Sequence, residues 1–391
     1  MAANPTLLID VSRMLWRRWR GQLPTGIDRA CLAYMHHFGD RAQAVVQRGG
    51  FTRVLARNQS KELITMLAEH REGFRRRAIA LLARALVDLD GNSRSLRGAT
   101  YLNLGHTGLD LPGHARWVRG SGVRAIYCIY DIIPITHPQF CRAGEAIRHA
   151  ERMRGALSVA SGILTISRES ERLLAQFAGE QGLPMPPTLA VPLGISIRRP
   201  TNSSPPIAKP YFVMIGTIEG RKNYALALRI WEELAVRLGP DTPHLVIIGA
   251  RGWAAEDVFA ALDHNADLRR HVIERNHCSD DELTAYLTHA CALLFPSFAE
   301  GQGLPLSEAL AMGTPVIASN LAVFRETAED IVDYLDPNDV PGWVDLLLQY
   351  LAPNSCQRAA QVERLTHFTA PSWEQHFAEV EAWLDETTAY Q

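Results

Sequence analysis

Two glutamates, Glu300 and Glu308, frame a glycine-rich turn in the segment PSFAEGQGLPLSE. The apolar run Ala292–Phe295 leads into it, and Pro305 suits the first turn of a helix expected to run to about Met312 and stop at Gly313. Gly301 and Gly303 let a ligand approach the backbone closely. The amides of Gly303 and Leu304, with the helix dipole behind them, form an anion site whose natural guest is a phosphate. The E-x7-E spacing lets one carboxylate address a group in a crevice at the carboxyl end of a strand while the other reaches a second group. Two acceptors beside an anion site suit the hydroxyls of a sugar and a ribose. A basic element stands at the end of another apolar run, where Tyr211–Ile215 leads through Gly216 and Thr217 to Glu219, Gly220, Arg221, Lys222 and Asn223. Paired cations at a helix start are unfavourable unless an anion offsets them, so Arg221 and Lys222 are expected to converge on the same phosphates.

These side chains need a scaffold of parallel strands with helices between them. Short apolar runs alternate with amphipathic stretches over the whole chain, the pattern of a mostly parallel sheet covered by helices. The runs are Leu7–Ile9, Ala44–Val46, Thr100–Leu102, Arg124–Tyr130 and Gly162–Ile166, then Tyr211–Ile215, His244–Ile248, Val272–Glu274, Ala292–Phe295 and Pro315–Ala318. Ser279 with Glu282 reads as a capping box. Residues 59–87 break the alternation as one long helical-looking segment. Trp373, Phe377, Val380 and Trp383 recur at helical spacing, as expected of a closing helix that packs on the first domain. The proline-rich stretch Arg198–Pro210 reads as a linker.

Division there exposes a charge asymmetry that the net charge of -2 conceals. Residues 1–200 hold 28 Lys+Arg against 15 Asp+Glu, and residues 201–391 hold 12 against 27. Two domains facing different partners are implied. The basic half, with Trp16–Arg20 (WRRWR) and Arg75–Arg77, suits an anionic membrane surface or a phosphorylated acceptor; no nucleic-acid-binding motif accompanies it. No apolar run approaches the roughly 18 residues of a membrane span, and Asp10 interrupts the first apolar stretch, so a cytoplasmic protein is expected, peripheral at most on the inner face of the plasma membrane. The six cysteines show no C-x2-C spacing, which argues against a disulfide framework or a zinc site.

FVMIGTIEGRKN, LVIIGARGW, CSDDELTAYL and FPSFAEGQGLPLSEALAMGTPVIASN occur in that order over residues 211–327. Together they resemble the bacterial glycosyltransferases of family 4; IDVSR, PTGIDR, NLGHTGLD, YDIIPITHP and TISRES extend the resemblance more weakly into the first half. The resemblance implies an α/β chain of GT-B class, two facing Rossmann-like doubly wound domains with a deep interdomain cleft. Residues 1–200, joined by the closing helix 373–391, would bind the acceptor, and residues 210–372 the nucleotide sugar. The implied activity is retaining transfer of a hexose to a saccharide or polyprenyl-diphosphate-linked acceptor in polysaccharide assembly (exopolysaccharide, capsule or O-antigen). GDP-mannose is the first expectation for the donor, with no cofactor and no metal. Arg221 and Lys222 would bind the donor diphosphate, Glu300 the hexose and Glu308 the ribose. His106 would contact the donor sugar. Gly26, Gly216, Asn223, Gly301, Gln302, Gly303 and Leu304 complete the donor set, and Asp131 is an acceptor-side or loop-organising carboxylate. Two positions depart from the family's habit: Gly220 stands where proline is frequent, implying a looser loop, and Gln302 where an aromatic is frequent, implying a polar sugar contact. An epimerase or phosphorylase of the same fold, or a non-catalytic saccharide-binding module, are the competing expectations.

Overall fold

Runs of buried apolar residues set the strands of two separate sheets in a computed structural model of the chain, which describes residues 6–22, 25–69, 73–87, 95–196 and 204–389. The chain divides into one unit of Met1–Ile135, Ala146–Leu193 and Trp373–Gln391 and another of Thr136–Glu145 and Gly194–Ser372. The linker expected from Arg198 lies outside the described residues as far as position 203.

The first unit holds β1 (Leu7–Asp10), β2 (Ala42–Arg48), β3 (Phe51–Val54), β4 (Thr100–Asn103), β5 (Arg124–Ile129), β6 (Gly162–Thr165) and β7 (Thr188–Ala190). Their order is β3-β2-β1-β4-β5-β6-β7, and every pairing is parallel except β2 with β3. That hairpin turns on Gly49 and Gly50, whose φ values of 58° and 84° are the left-handed pair such a two-residue turn needs. Strands β4, β5 and β6 are buried along their whole length, which explains their nearly continuous apolar sequence.

The second unit holds β8 (Tyr211–Ile215), β9 (His244–Ile248), β10 (Val272–Arg275), β11 (Leu293–Phe295), β12 (Val316–Ser319) and β13 (Asp333–Leu335), all parallel, in the order β10-β9-β8-β11-β12-β13. Two apolar clusters pack on this sheet, one around Trp231 and Trp343, the other around Phe295, Leu306 and Phe324. In both units the order of strands reverses beside the first strand, between β1 and β4 and between β8 and β11. Loops leaving the carboxyl ends of two such neighbouring strands diverge to opposite sides and leave room for a ligand between them.

The long segment expected over 59–87 is two helices, Arg57–Ala68 and Phe74–Val87. The closing helix, Trp373–Ala389, lies in the first unit, where Phe377, Val380 and Leu384 are buried. His376 Nε2 meets Tyr34 Oη at 2.8 Å, and the Phe377 ring packs edge-on to that of Tyr34 at 5.0 Å. Among the described residues no helix is long and apolar enough to cross a membrane.

Candidate functional site

In the second unit the two loops at the reversal point bring together four charged side chains. The loop after β8 passes through Gly216, whose φ of 132° demands glycine, and a short 3-10 turn, Gly220–Lys222. It ends on Asn223, left-handed at φ 58°, whose side chain caps the helix Tyr224–Leu238 by accepting from the amide of Leu226. Asn223 Nδ2 donates to the Pro337 carbonyl at 2.8 Å, which anchors the turn from the other side. The loop after β11 carries Ser297, Glu300 and Gly303. Gly303, at φ 83°, stands before the helix Leu304–Ala311. A Cβ there would lie 2.7 Å from the Phe324 ring, so conformation and space both require glycine.

Glu300 is the hub of the cluster. Its Oε1 is 2.5 Å from Lys222 Nζ, 2.9 Å from Arg221 Nη1 and 2.8 Å from Ser297 Oγ. Its second oxygen, Oε2, takes part in none of these contacts. Arg221 is further fixed by Glu219 at 2.7 Å and by donating to the Ala299 carbonyl at 3.0 Å. The Glu300 side chain is only 8% exposed. Burial raises its carboxyl, but the charges of Arg221 and Lys222 and the bonds from Lys222 and Ser297 outweigh this and hold it down to about 2. Burial also lowers the Lys222 ammonium, against the pull of Glu300, and raises Glu219. Lys222 Nζ lies 4.6 Å from the Phe295 ring centroid. A buried ammonium sharing one carboxylate oxygen with a guanidinium is well placed to exchange part of that pairing for an incoming phosphate. Among the described residues, the amides of Gly303 and Leu304 have no hydrogen-bond partner.

The expected looseness at Gly220 is not found. A Cβ at that position would lie 2.6 Å from the Ala254 carbonyl oxygen and 3.1 Å from the Phe140 ring, so the loop is tightly packed and a proline would collide. Phe140 stacks on Phe298 at 5.1 Å, and its carbonyl accepts from Trp253 Nε1 at 3.0 Å. Gln302 is buried, and its carbonyl lies 3.5 Å from Thr327 Oγ1. Glu308 is half-buried on the helix that Leu304 opens.

The remaining expected residues lie in the first unit. His106, with φ 55°, sits in the loop after β4, beside the reversal between β1 and β4. Its Nε2 is 2.7 Å from the Cys128 carbonyl and so donates to it, which leaves Nδ1 as an acceptor. Burial and the charge of His149 lower the ring to about 3, so His106 is neutral near pH 7. Asp131 Oδ1 accepts the Ile133 amide at 3.0 Å, and its carbonyl lies 3.2 Å from His149 Nε2. Gly26 is the first residue of the helix Gly26–Phe38.

Several organising residues were not singled out from the sequence. Asp28 accepts from the Thr25 amide at 2.7 Å and from Arg13 Nε at 2.8 Å, and Arg17 Nε approaches it at 2.8 Å. The signal was present as Thr25-x-x-Asp28, capping-box spacing. Asp10 accepts from Gln47 Nε2 at 2.5 Å and Tyr101 Oη at 2.9 Å, and Gln47 Oε1 meets His114 Nδ1 at 3.0 Å. Burial raises the Asp10 carboxyl in spite of these bonds. The partners of Asp10 are remote in sequence, so only its position at the end of an apolar strand hinted at this network. Glu219 and Ser297 flank the motif residues that were read.

Residues 200–363 match the family model of Glycosyl transferases group 1. That segment, in the second unit, is similar to the group 1 glycosyl transferases. Over 271 residues, 64% of its length, the chain is 29% identical to the serotype-specific mannosyltransferase WbdA of Escherichia coli, and the match spans 33% of that protein. It is 29% identical over 259 residues, 64% of this chain and 67% of the other, to the O-antigen chain mannosyltransferase B of Escherichia coli. Among solved structures it is similar to Anabaena Alr3699/HepE in complex with UDP and glucose, with a TM-score of 0.64, 14% identity, and 98% and 100% of the two chains covered. The shared fold is the GT-B class of two Rossmann-like units, as expected from the motifs.

Proposed function

We propose that this transferase moves a hexose, with retention of anomeric configuration, from a nucleotide-diphosphate sugar to a saccharide acceptor in polysaccharide assembly. Mannose is the sugar in the names of the mannosyltransferase relatives, and GDP-mannose is the donor this reading takes. The observation that carries the reading is the Glu300 cluster: two cations held on one carboxylate oxygen, beside the amides of Gly303 and Leu304.

In the reaction the bond between the anomeric carbon and the diphosphate oxygen breaks, and the acceptor hydroxyl oxygen bonds to that carbon. The acceptor's proton passes to the departing phosphate oxygen, so no protein nucleophile is needed. Arg221 and Lys222 offset the charge that grows on the diphosphate, an effect worth on the order of 10²- to 10³-fold for each preorganised donor. Glu300, ionised and with Oε2 open, accepts from a sugar hydroxyl, and Glu308 accepts from the ribose. His106 accepts from the donor sugar through Nδ1. A lipid-linked diphosphate acceptor, with the basic first unit against an anionic inner membrane surface, extends the same reading. Transfer is expected without metal.

The test is a thermal-shift screen of GDP-, UDP-, ADP- and dTDP-sugars followed by transfer assays in EDTA. A cognate donor at about 100 times its Kd stabilises by roughly 2.7 kcal/mol. No response to any nucleotide sugar overturns the donor assignment, and activity that EDTA abolishes and magnesium restores overturns the metal-free route.

A further inference from the structure

The first unit contains a cavity of about 640 Å³ that the candidate donor residues do not account for. Its walls include Trp16 and Trp19, its cations are Arg20 and Arg48, and Gln47 and Thr107 complete the part that matters here. The volume suits a small saccharide. Both indoles are held in place before any ligand arrives. Trp16 Nε1 donates to the Gln47 carbonyl at 2.9 Å, and Trp19 meets Trp16 edge-on at 6.3 Å. The Trp19 carbonyl is in turn held by Arg75 Nε at 2.8 Å. Arg48 lies over the Trp16 ring at 4.9 Å. Among the described residues neither Arg20 nor Arg48 has a carboxylate partner, and no acid lines the cavity. A second hollow of about 320 Å³ continues past Trp19 and adds Arg18, Arg75 and Arg76, again without an acid among its described lining.

Indole faces beside uncompensated guanidinium groups select a particular chemistry. A neutral sugar has no use for two cations, and a bare phosphate has none for two indoles. Thr107 connects the cavity to the candidate site within this unit, because it follows His106 in the chain and its carbonyl accepts from Asn103 Nδ2 at 3.0 Å. We propose that this cavity is the acceptor subsite and takes a glycosyl phosphate, the sugar ring against Trp16 and Trp19 and the phosphate between Arg20 and Arg48. The proposal rests on the glycosyl-transfer reading and adds to it the chemical class of the acceptor.

The full-length protein labelled with 5-fluorotryptophan tests this by fluorine NMR, with Trp16→Phe and Trp19→Phe assigning the two resonances. Excess GDP and UDP together fill the donor site. Mannose 1-phosphate is expected to shift both resonances, while methyl α-mannoside and inorganic phosphate at equal concentration shift them much less. Arg20→Gln combined with Arg48→Gln is expected to weaken mannose 1-phosphate binding by about tenfold or more, because charge-assisted bonds to phosphate are lost, with nucleotide affinity unchanged. Both arginines are exposed, so the fold should survive, and an unchanged melting temperature checks it. Unmoved indole resonances overturn the proposal, as does inorganic phosphate alone matching the sugar phosphate. Phosphatidylglycerol vesicles shifting the indoles where mannose 1-phosphate does not would also overturn it and make this face a membrane contact. Failure of the donor reading is separate: it shows as the absence of any nucleotide-sugar thermal shift, whatever the indoles do.

Discussion

Lys222 and Arg221 divide a single carboxylate oxygen between them, so removing either has two effects with separate readouts. Lys222→Ala is expected to cut turnover by at least about 10²-fold, because charge growing on the leaving diphosphate loses a preorganised partner. Activity within tenfold of wild type would remove the diphosphate assignment. Glu300→Gln tests the other side of the pair. It leaves Lys222 buried with less opposing charge, which costs about 3 kcal/mol or more. The folded carboxyl is held at about 2, below its ordinary 4.5, so its contribution is complete above pH 4.5 and is lost as pH falls towards 2. The stability gap between wild type and Glu300→Gln, read as urea midpoints, should therefore narrow from pH 5 to pH 2.5. A gap constant over that range would show that Glu300 is not held ionised by its neighbours.

At the scale of elements, the closing helix is the part that returns. Phe377→Ala empties a site packed by Tyr34, His37 and Phe38, and is expected to cost about 3 kcal/mol or more in urea unfolding. The nucleotide-dependent thermal shift should be kept, since Arg221, Lys222 and Glu308, the residues proposed to hold the nucleotide, belong to the other unit. A variant as stable as wild type would mean that the helix is not docked through Phe377. This helix was legible because one face carries apolar residues at every turn. Interior strands were legible for a similar reason: β8 and β9 are buried almost throughout and read as unbroken apolar runs. Three of the four edge strands, β3, β7 and β13, escaped notice, since at an edge one side meets solvent and the apolar signal thins; the fourth, β10, was read from Val272 and Ile273. Glu300, Arg221 and Lys222 could be picked out by type and spacing, but their sharing of Oε1 could not, since it depends on how two loops 78 positions apart meet. The packing that pins Gly220 was illegible too, because Phe140 comes from a segment far off in sequence.

For the whole molecule, His106, His114 and His376 weigh on stability in the mildly acidic range. Burial lowers His106 to about 3 and His114 and His376 to about 4, while in the unfolded chain each titrates near 6.5. At these three positions the unfolded state binds more protons below pH 6.5, so their contribution makes stability fall as pH drops from 6.5 towards 4.5. His376→Gln keeps partners for Tyr34 and Pro192 and should flatten part of that slope in a melting-temperature series; an unchanged slope would show that His376 does not supply it. A last consequence follows from the burial of Lys222. Arginine supplies nearly all the positive charge, and the chain of 391 residues has only two other lysines, Lys61 and Lys209, both exposed. An amine-acylating reagent followed by peptide mass mapping would thus mark two side chains rapidly and one slowly. The slow one stands at the proposed diphosphate site, so the chain carries its own occupancy reporter, readable without mutation or a known acceptor.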